Sequence, residues 1–342
     1  MNILVDIKHP AQLNLFKNLS RKLQQDGWKV IICFLDRGKL PKIIEKEYPG
    51  FKCISIGKSR GTKWSIFWEG NVVRTSDFVN LIKEEKIKIC IAASSAPLAL
   101  AGKLTGTPVI QFYDDPERKG INKVNEVLST KLFFPPIVEP SDKIEIFNCL
   151  KEWSYLSPKY FSPNPKAIEK FPVKEKAYVF VREVSNKSFN YYDQEDAIIC
   201  NMAGEINSEI PVLLSLEDKS IKDRFPPHWH ILEEPIEDIH SLIYYSKLMI
   251  SSGDSMAREG AMLGVPSVYC GIRKMKANEL LIEKGLMSHH PAKDALDPIN
   301  KILKEPQPDN VQTKVRNELL TQWDDMNIFM EKQIDKYKKD KR

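Results

Sequence analysis

The chain has 342 residues, of which 42% are hydrophobic and 28% charged, and a formal net charge of +5 at pH 7. Length on this scale predicts two domains of ordinary globular composition. The absence of any run of about 18 apolar residues excludes a membrane-spanning helix. The mild, dispersed charge excludes a dedicated nucleic-acid binder.

In chain order, NILVDI (2–7) is predicted as a strand, with too short an apolar run for a secretory signal. A helix with Leu15, Leu19 and Leu23 on one face follows at 12–25. Strands are predicted at 28–35, 51–56, 87–93 and 108–113, and helices at 40–47, 72–85 and 96–104. Strands alternating with helices at this spacing imply parallel βαβ units and a doubly wound sheet. SPKYFSPNPKAIEKFPVKEK (157–176) has four prolines and no apolar period, so it reads as an interdomain linker. A second series of strands is predicted at 177–183, 211–217, 228–232, 247–250 and 267–270, and one long helix at 311–338. Two such halves lead to the expectation of a ligand cleft between them.

The cysteines at 33, 53, 90, 149, 200 and 270 form no CxxC pair and read as small buried hydrophobes. The histidines at 228, 230, 289 and 290 have no metal-ligand spacing, so no structural metal is expected. A cytoplasmic location follows from both the cysteines and the lack of a signal.

The stretch SSGDSMAREGAMLGVPSVYCG (251–271) carries the most chemistry. Ser251 to Asp254 supply turn and cap residues, Met256 to Leu263 continue as helix, and Gly264 and Pro266 stop it. A helix N-terminus at the carboxyl end of a strand offers N–H groups and partial positive charge to an anion. Small residues let the backbone approach a phosphate. Glu259 would repel that phosphate, but one turn away it suits a ribose diol. The alternative is an ordinary capping turn with an exposed glutamate.

Together with VDIKHPAQLNLFKNL at the N-terminus, SSAPLALAGKLTGTPVIQFYDD (94–115), YLSPKYFSPNP (155–165) and YVFVREVSNKS (178–188), this stretch resembles the glycosyltransferase-B superfold. Within that superfold it is similar to a bacterial and archaeal family related to the UDP-N-acetylglucosamine 2-epimerases. The resemblance implies an α/β chain of two Rossmann-like doubly wound domains with a C-terminal crossover helix. It divides the chain into an acceptor domain (1–156), the linker (157–176), a nucleotide-sugar domain (177–310) and a returning helix with its tail (311–342).

The same resemblance assigns Gly253, Asp254, Ser255 and Met256 to the diphosphate and Glu259 to the ribose. Relatives often carry Gly-Thr-Met where Asp254-Ser255-Met256 stands here. An aspartate is tolerable there only if it turns away and caps the helix. Arg182 is the candidate cation near the diphosphate, with Asn186 beside it. In the first half, His9 follows the first strand and can act as general base. Asn14, Asp114, Asp115 and Glu117 complete the acceptor side, Asp115 being the other base candidate.

The function so implied is transfer of a sugar from a nucleotide donor, UDP-linked by expectation, to a cell-surface glycan or lipid-linked acceptor. No further cofactor is implied. Alternatives are a nucleotide-sugar 2-epimerase and a non-catalytic nucleotide-sugar-binding protein. Epimerases carry a His-Arg-rich segment where VREVSN stands and an aspartate where AASSA stands. The aromatic, basic loop 58–71, with Trp64, Phe67 and Trp68, and the tail KQIDKYKKDKR (332–342) have the composition of a peripheral membrane contact. Their alternatives are aromatics folded onto the core and a solvated helix end.

Overall fold

The computed structural model describes residues 1–58, 68–186, 193–206, 209–306, 308 and 310–338. The chain divides into two compact units, 1–155 together with the segment from Trp323 onward, and 156–322.

The first unit is built on β1 (Asn2–Ile7), β2 (Lys29–Asp36), β3 (Lys52–Lys58), β4 (Ile87–Ala92), β5 (Val109–Phe112), β6 (Lys131–Phe134) and β7 (Ile144–Ile146). They lie in the order β3-β2-β1-β4-β5-β6-β7, and every pairing is parallel. The central strands are almost wholly apolar, and Ile3, Leu4, Val5 and Ile7 are fully buried. A parallel sheet is covered by helices on both faces, so its strands do not alternate inside and outside. The Pro10–Gln25 helix buries Leu15, Leu19 and Leu23, the face its sequence marks out.

The second unit repeats the arrangement with β8 (Val179–Glu183), β9 (Val212–Leu216), β10 (His230–Ile231), β11 (Leu248–Ser251), β12 (Ser267–Tyr269) and β13 (Met287–His289). Their order is β10-β9-β8-β11-β12-β13, again all parallel. Each sheet is therefore doubly wound. The strand order reverses between β1 and β4 in the first and between β8 and β11 in the second. Such reversals open a crevice at the carboxyl ends of the strands, where ligands of this architecture bind.

Three strands, β6, β7 and β13, were not expected from the sequence. The helix expected at 311–338 is two helices, Val311–Gln322 and Met326–Asp335. They part at Asp325, whose carboxylate accepts from the N–H groups of Asn327 and Ile328 and so starts a new helix. Of the proline-rich segment 157–176, only Pro165–Ala167 forms a 3₁₀ turn. The segment is tied to its own unit by Asn164 N–H donating to Ser241 (2.9 Å) and by Arg316 donating to the Phe161 carbonyl (2.6 Å).

Candidate functional site

The reversal in the second unit is occupied by the small-residue turn 251–254. β11 ends at Ser251, whose hydroxyl donates to the Gly253 carbonyl (2.6 Å) and accepts from its N–H (3.0 Å). Gly253 is the N-cap of the Asp254–Met262 helix and has no side chain to accept from the first turn. The helix stops at Gly264 (φ +77°). Beneath the turn, Glu183 at the end of β8 is 1% exposed. It accepts from the N–H groups of Ile199 (2.7 Å) and Cys200 (3.0 Å) and from the Ser252 hydroxyl (2.6 Å). Burial pushes this carboxyl up, and the three donors oppose that shift. Glu183 thus ties β8, the 199–200 turn and Ser252 into one support.

Asp254 departs from the expectation that it would cap the helix. It is the first helical residue, 2% exposed, and its carboxylate lies 3.2 Å from the Arg258 guanidinium and 3.7 Å from that of Arg273. Arg258 is fully buried and also donates to the Asn278 side chain (2.9 Å). Two guanidinium groups thus flank the one carboxylate at the helix start. Ser255 and Met256 are half-buried on the first turn. Glu259 follows Ser255 by four residues and so shares its face. Its carboxylate sits 3.4 Å from His240, with 8% of the side chain exposed.

Arg182 lies beside Ser251 in the sheet, but its guanidinium reaches the other way, over β9. It donates to Ser215 (2.9 Å) and lies within 3.3 Å of Glu217 and 3.4 Å of Glu234. Its charge is answered there, away from the Asp254 turn. Asn186 is half-buried just beyond β8, and residues 187–192 lie outside the described residues.

In the first unit the corresponding reversal lies between β1 and β4. His9 is an exposed N-cap of the Pro10–Gln25 helix, and its Nδ1 accepts from the Ala11 N–H (3.3 Å). That nitrogen is engaged on the helix, which puts the neutral ring's proton on Nε2. Gln12 accepts from the Lys8 N–H (2.7 Å), and Asn14 is half-buried on the next turn. After β5, Asp114 pairs with Lys151 (2.5 Å), Asp115 is half-buried, and Glu117 is exposed. At the end of β1, Asp6 and Arg74 form an ion pair at 2.6 Å, both about 1% exposed. Of all these residues, the sequence had singled out neither Asp6 nor Arg74. In the second unit it had missed Glu183, Arg258 and Arg273.

Of the aromatic loop, Arg60, Lys63, Trp64 and Phe67 lie outside the described residues, as do residues 339–342 of the tail. Within the tail, Lys336 lies 3.6 Å from Glu145 and Lys338 pairs with Asp335 (2.6 Å) while covering the Trp28 ring. Among the described residues no helix is long and apolar enough to cross a membrane.

A model of the family described as "Protein of unknown function (DUF354)" matches residues 1–338. An uncharacterized protein of Methanocaldococcus jannaschii is 24% identical over 306 residues, 84% of this chain and 87% of its own length. Among solved structures, glycosyltransferase VinC in complex with dTDP superposes with a TM-score of 0.67 at 12% identity, covering 99% of this chain and 100% of its own. The spinosyn rhamnosyltransferase SpnG complexed with spinosyn aglycone gives 0.68 at 13% identity, over 97% and 100%. UDP-GlcNAc 2-epimerase from Neisseria meningitidis bound to UDP-GlcNAc gives 0.61 at 13% identity, over 94% and 100%. What these proteins share with this chain is the glycosyltransferase-B fold, which glycosyltransferases and epimerases have in common.

Proposed function

This chain belongs to the DUF354 family, and on that premise we propose that it is a glycosyltransferase using a nucleotide-sugar donor, with a glycan or lipid-linked acceptor. The observation that carries this reading is the start of the Asp254–Met262 helix. It sits at the β8/β11 reversal, its one acidic side chain is neutralised by Arg258 and Arg273, and Glu259 follows within the next turn. Under this reading, backbone N–H groups and the helix dipole hold the diphosphate and stabilise it as leaving group. Glu259, oriented by His240, accepts from the ribose hydroxyls. Arg273 takes the role the sequence reading gave Arg182.

For the base that deprotonates an acceptor hydroxyl, Asp115 suits better than His9. A carboxylate beyond the carboxyl end of β5 can accept several hydrogen bonds at once, whereas the neutral His9 ring has one accepting nitrogen and uses it on the helix. Asp115→Asn is expected to lower turnover by roughly 10²–10⁴-fold with nucleotide affinity unchanged.

Two measurements test the reading. Glu259→Ala should weaken nucleotide and nucleotide-sugar binding about ten- to a hundredfold, the worth of one charge-assisted hydrogen bond. Unchanged affinity in the folded variant would remove Glu259 from the site. Incubation with UDP-, GDP-, CMP- and dTDP-sugars, followed by separation of products, should release nucleotide only when an acceptor is present. A new sugar epimer would make the protein an epimerase, and binding without turnover would make it a non-catalytic binder.

A further inference from the structure

Glu259 pairs with His240, and the groups that fix His240 come from the two ends of the second unit. His240 is the second residue of the Ile239–Tyr244 helix, and its Nε2 lies 3.4 Å from the Glu259 carboxylate. Its ring also meets Phe161 in a T-shaped contact, with centroids 6.0 Å apart and planes at 76°. Phe161 in turn lies under the Arg316 guanidinium, whose Cζ is 5.5 Å from the ring centroid. The ring quadrupole favours both contacts, a cation over the face and a second ring set edge to face. Arg316 also donates to the carbonyl oxygens of Leu156 (3.3 Å) and Phe161 (2.6 Å). One side chain therefore fixes both the backbone and the ring of Phe161.

The same guanidinium lies 5.5 Å from the Tyr244 ring centroid, and Gln312, one turn earlier, donates to the Tyr244 carbonyl (2.7 Å). Tyr244 is the last residue of the helix that carries His240. The Val311–Gln322 helix thus holds both the helix that carries His240 and the ring packed against it. Arg316 is 7% exposed, and its planar fork is pre-organised, so it fixes the groups it donates to. The chain enters the second unit at Leu156 and leaves it at Gln322. Phe161 lies on the entering segment and Arg316 on the departing helix. These two stretches are tied to each other and, through one imidazole, to the carboxylate assigned to the ribose.

A glutamate side chain turns about several torsions, and a hydrogen bond weakens steeply as its angle departs from linearity. One carboxylate meets both hydroxyls of a ribose well only when its orientation is locked. We infer that Phe161 and Arg316 are positioning residues for ribose recognition: they set the His240 ring, and through it the Glu259 carboxylate, so that the site takes ribonucleotides in preference to 2′-deoxyribonucleotides. Neither residue has to touch the ligand. This rests on the assignment of Glu259 to the ribose made above.

The test is titration calorimetry of the full chain with UDP, GDP and CDP, each beside its 2′-deoxy counterpart. For the base that binds, the wild type should favour the ribonucleotide about tenfold, the worth of one hydrogen bond to a charged group. Phe161→Leu, Arg316→Lys and His240→Ala should each shrink that ratio at least about threefold, because groups in one contact network couple. Phe161→Tyr keeps the ring and should keep the ratio, whereas Glu259→Ala should abolish it. Phe161 and His240 are only half-buried, and a melting curve confirms that each variant folds. Equal weakening of both nucleotides, with the ratio unchanged, would make the cluster a packing feature and overturn the inference. So would a ratio that survives in the Phe161 and Arg316 variants but is lost in Glu259→Ala, an outcome that leaves the ribose assignment standing. A ratio unchanged in Glu259→Ala would remove that assignment as well. A wild type that prefers no ribonucleotide to its 2′-deoxy form overturns the inference directly.

Discussion

Asp254 shows how one residue type changes meaning with its partners. A carboxylate at the first helical position beside a diphosphate is unfavourable by charge alone. With Arg258 at 3.2 Å and Arg273 at 3.7 Å, two guanidinium groups answer that carboxylate. Arg258 is fully buried, whereas the Arg273 side chain is 19% exposed and is the one positioned to meet a ligand. Arg273→Ala should therefore weaken nucleotide binding about tenfold or more, while Arg182→Ala should change it little; calorimetry separates the two. Lys8 offers a second residue-scale test. Its folded-state pKa is lowered from 10.5 to about 8. The charged form is thus penalised in the fold below about pH 8, and the penalty fades as pH rises toward the ordinary lysine value. Lys8→Met should raise stability at pH 7 by about 2–3 kcal/mol, a gain that vanishes near pH 10.5 in urea titrations. Glu259 and the small-residue turn were legible in the sequence because their spacing is local. Arg273 was not, because its partner lies nineteen positions away and nothing in GIRKMK marks that pairing.

At the scale of elements, the helix that presents the turn depends on how it stops. Gly264 has φ +77°, and a Cβ there would meet the Gln312 Cα at 2.6 Å. Gly264→Ala combines a left-handed backbone, costing about 1–3 kcal/mol, with a backbone clash that Gln312 must relieve by moving. The urea midpoint should fall accordingly, and an unchanged midpoint would show that the Val311–Gln322 helix can shift freely. The alternation of strands and helices was readable along most of the chain, since long apolar runs flanked by turn residues are unambiguous. β6, β7 and β13 were not read: at four, three and three residues they show no period of their own, and unlike the equally short β11 and β12 they do not flank the marked turn and helix of 251–271. The Lys119–Leu128 helix escaped because it follows the polar segment DDPER without a cap signal; Arg118 at its N-cap has no side-chain acceptor and makes no cap bond. The break at Asp325 was hidden for the opposite reason. WDDMN contains neither glycine nor proline, and only the capping bonds of Asp325 reveal a new start.

At the scale of the molecule, the first unit is completed by residues far along the chain. Trp323 packs edge-on to Trp153 (5.5 Å), and Met326, Met330 and Ile334 are fully buried. Asn327 donates to the Ser154 carbonyl (2.7 Å), and the Asn148 N–H donates to Asp324 (3.1 Å). Burial of four such side chains is worth roughly 6–12 kcal/mol, comparable with the whole stability of a typical domain. A chain ended at Gln322 should therefore lose the cooperative melting of the first unit. Proteolysis should then cut within 1–155 first. Persistent protection of that region would show that the Met326–Asp335 helix is an accessory.

The same assignment of Trp323 and its successors to the first unit sets an order of assembly on the ribosome. Residues 156–322 are contiguous, so the second unit has all its parts once they clear the exit tunnel. The first unit, although its sheet is translated earlier, waits for its closing helix until nearly 170 further residues have been made. Domains of a growing chain ordinarily fold from the N-terminus onward. Here the earlier-made sheet must remain soluble with the surface under Trp323, Met326, Met330 and Ile334 uncovered while its neighbour finishes. Nascent-chain pulse proteolysis should accordingly find residues 156–322 protected before 1–155.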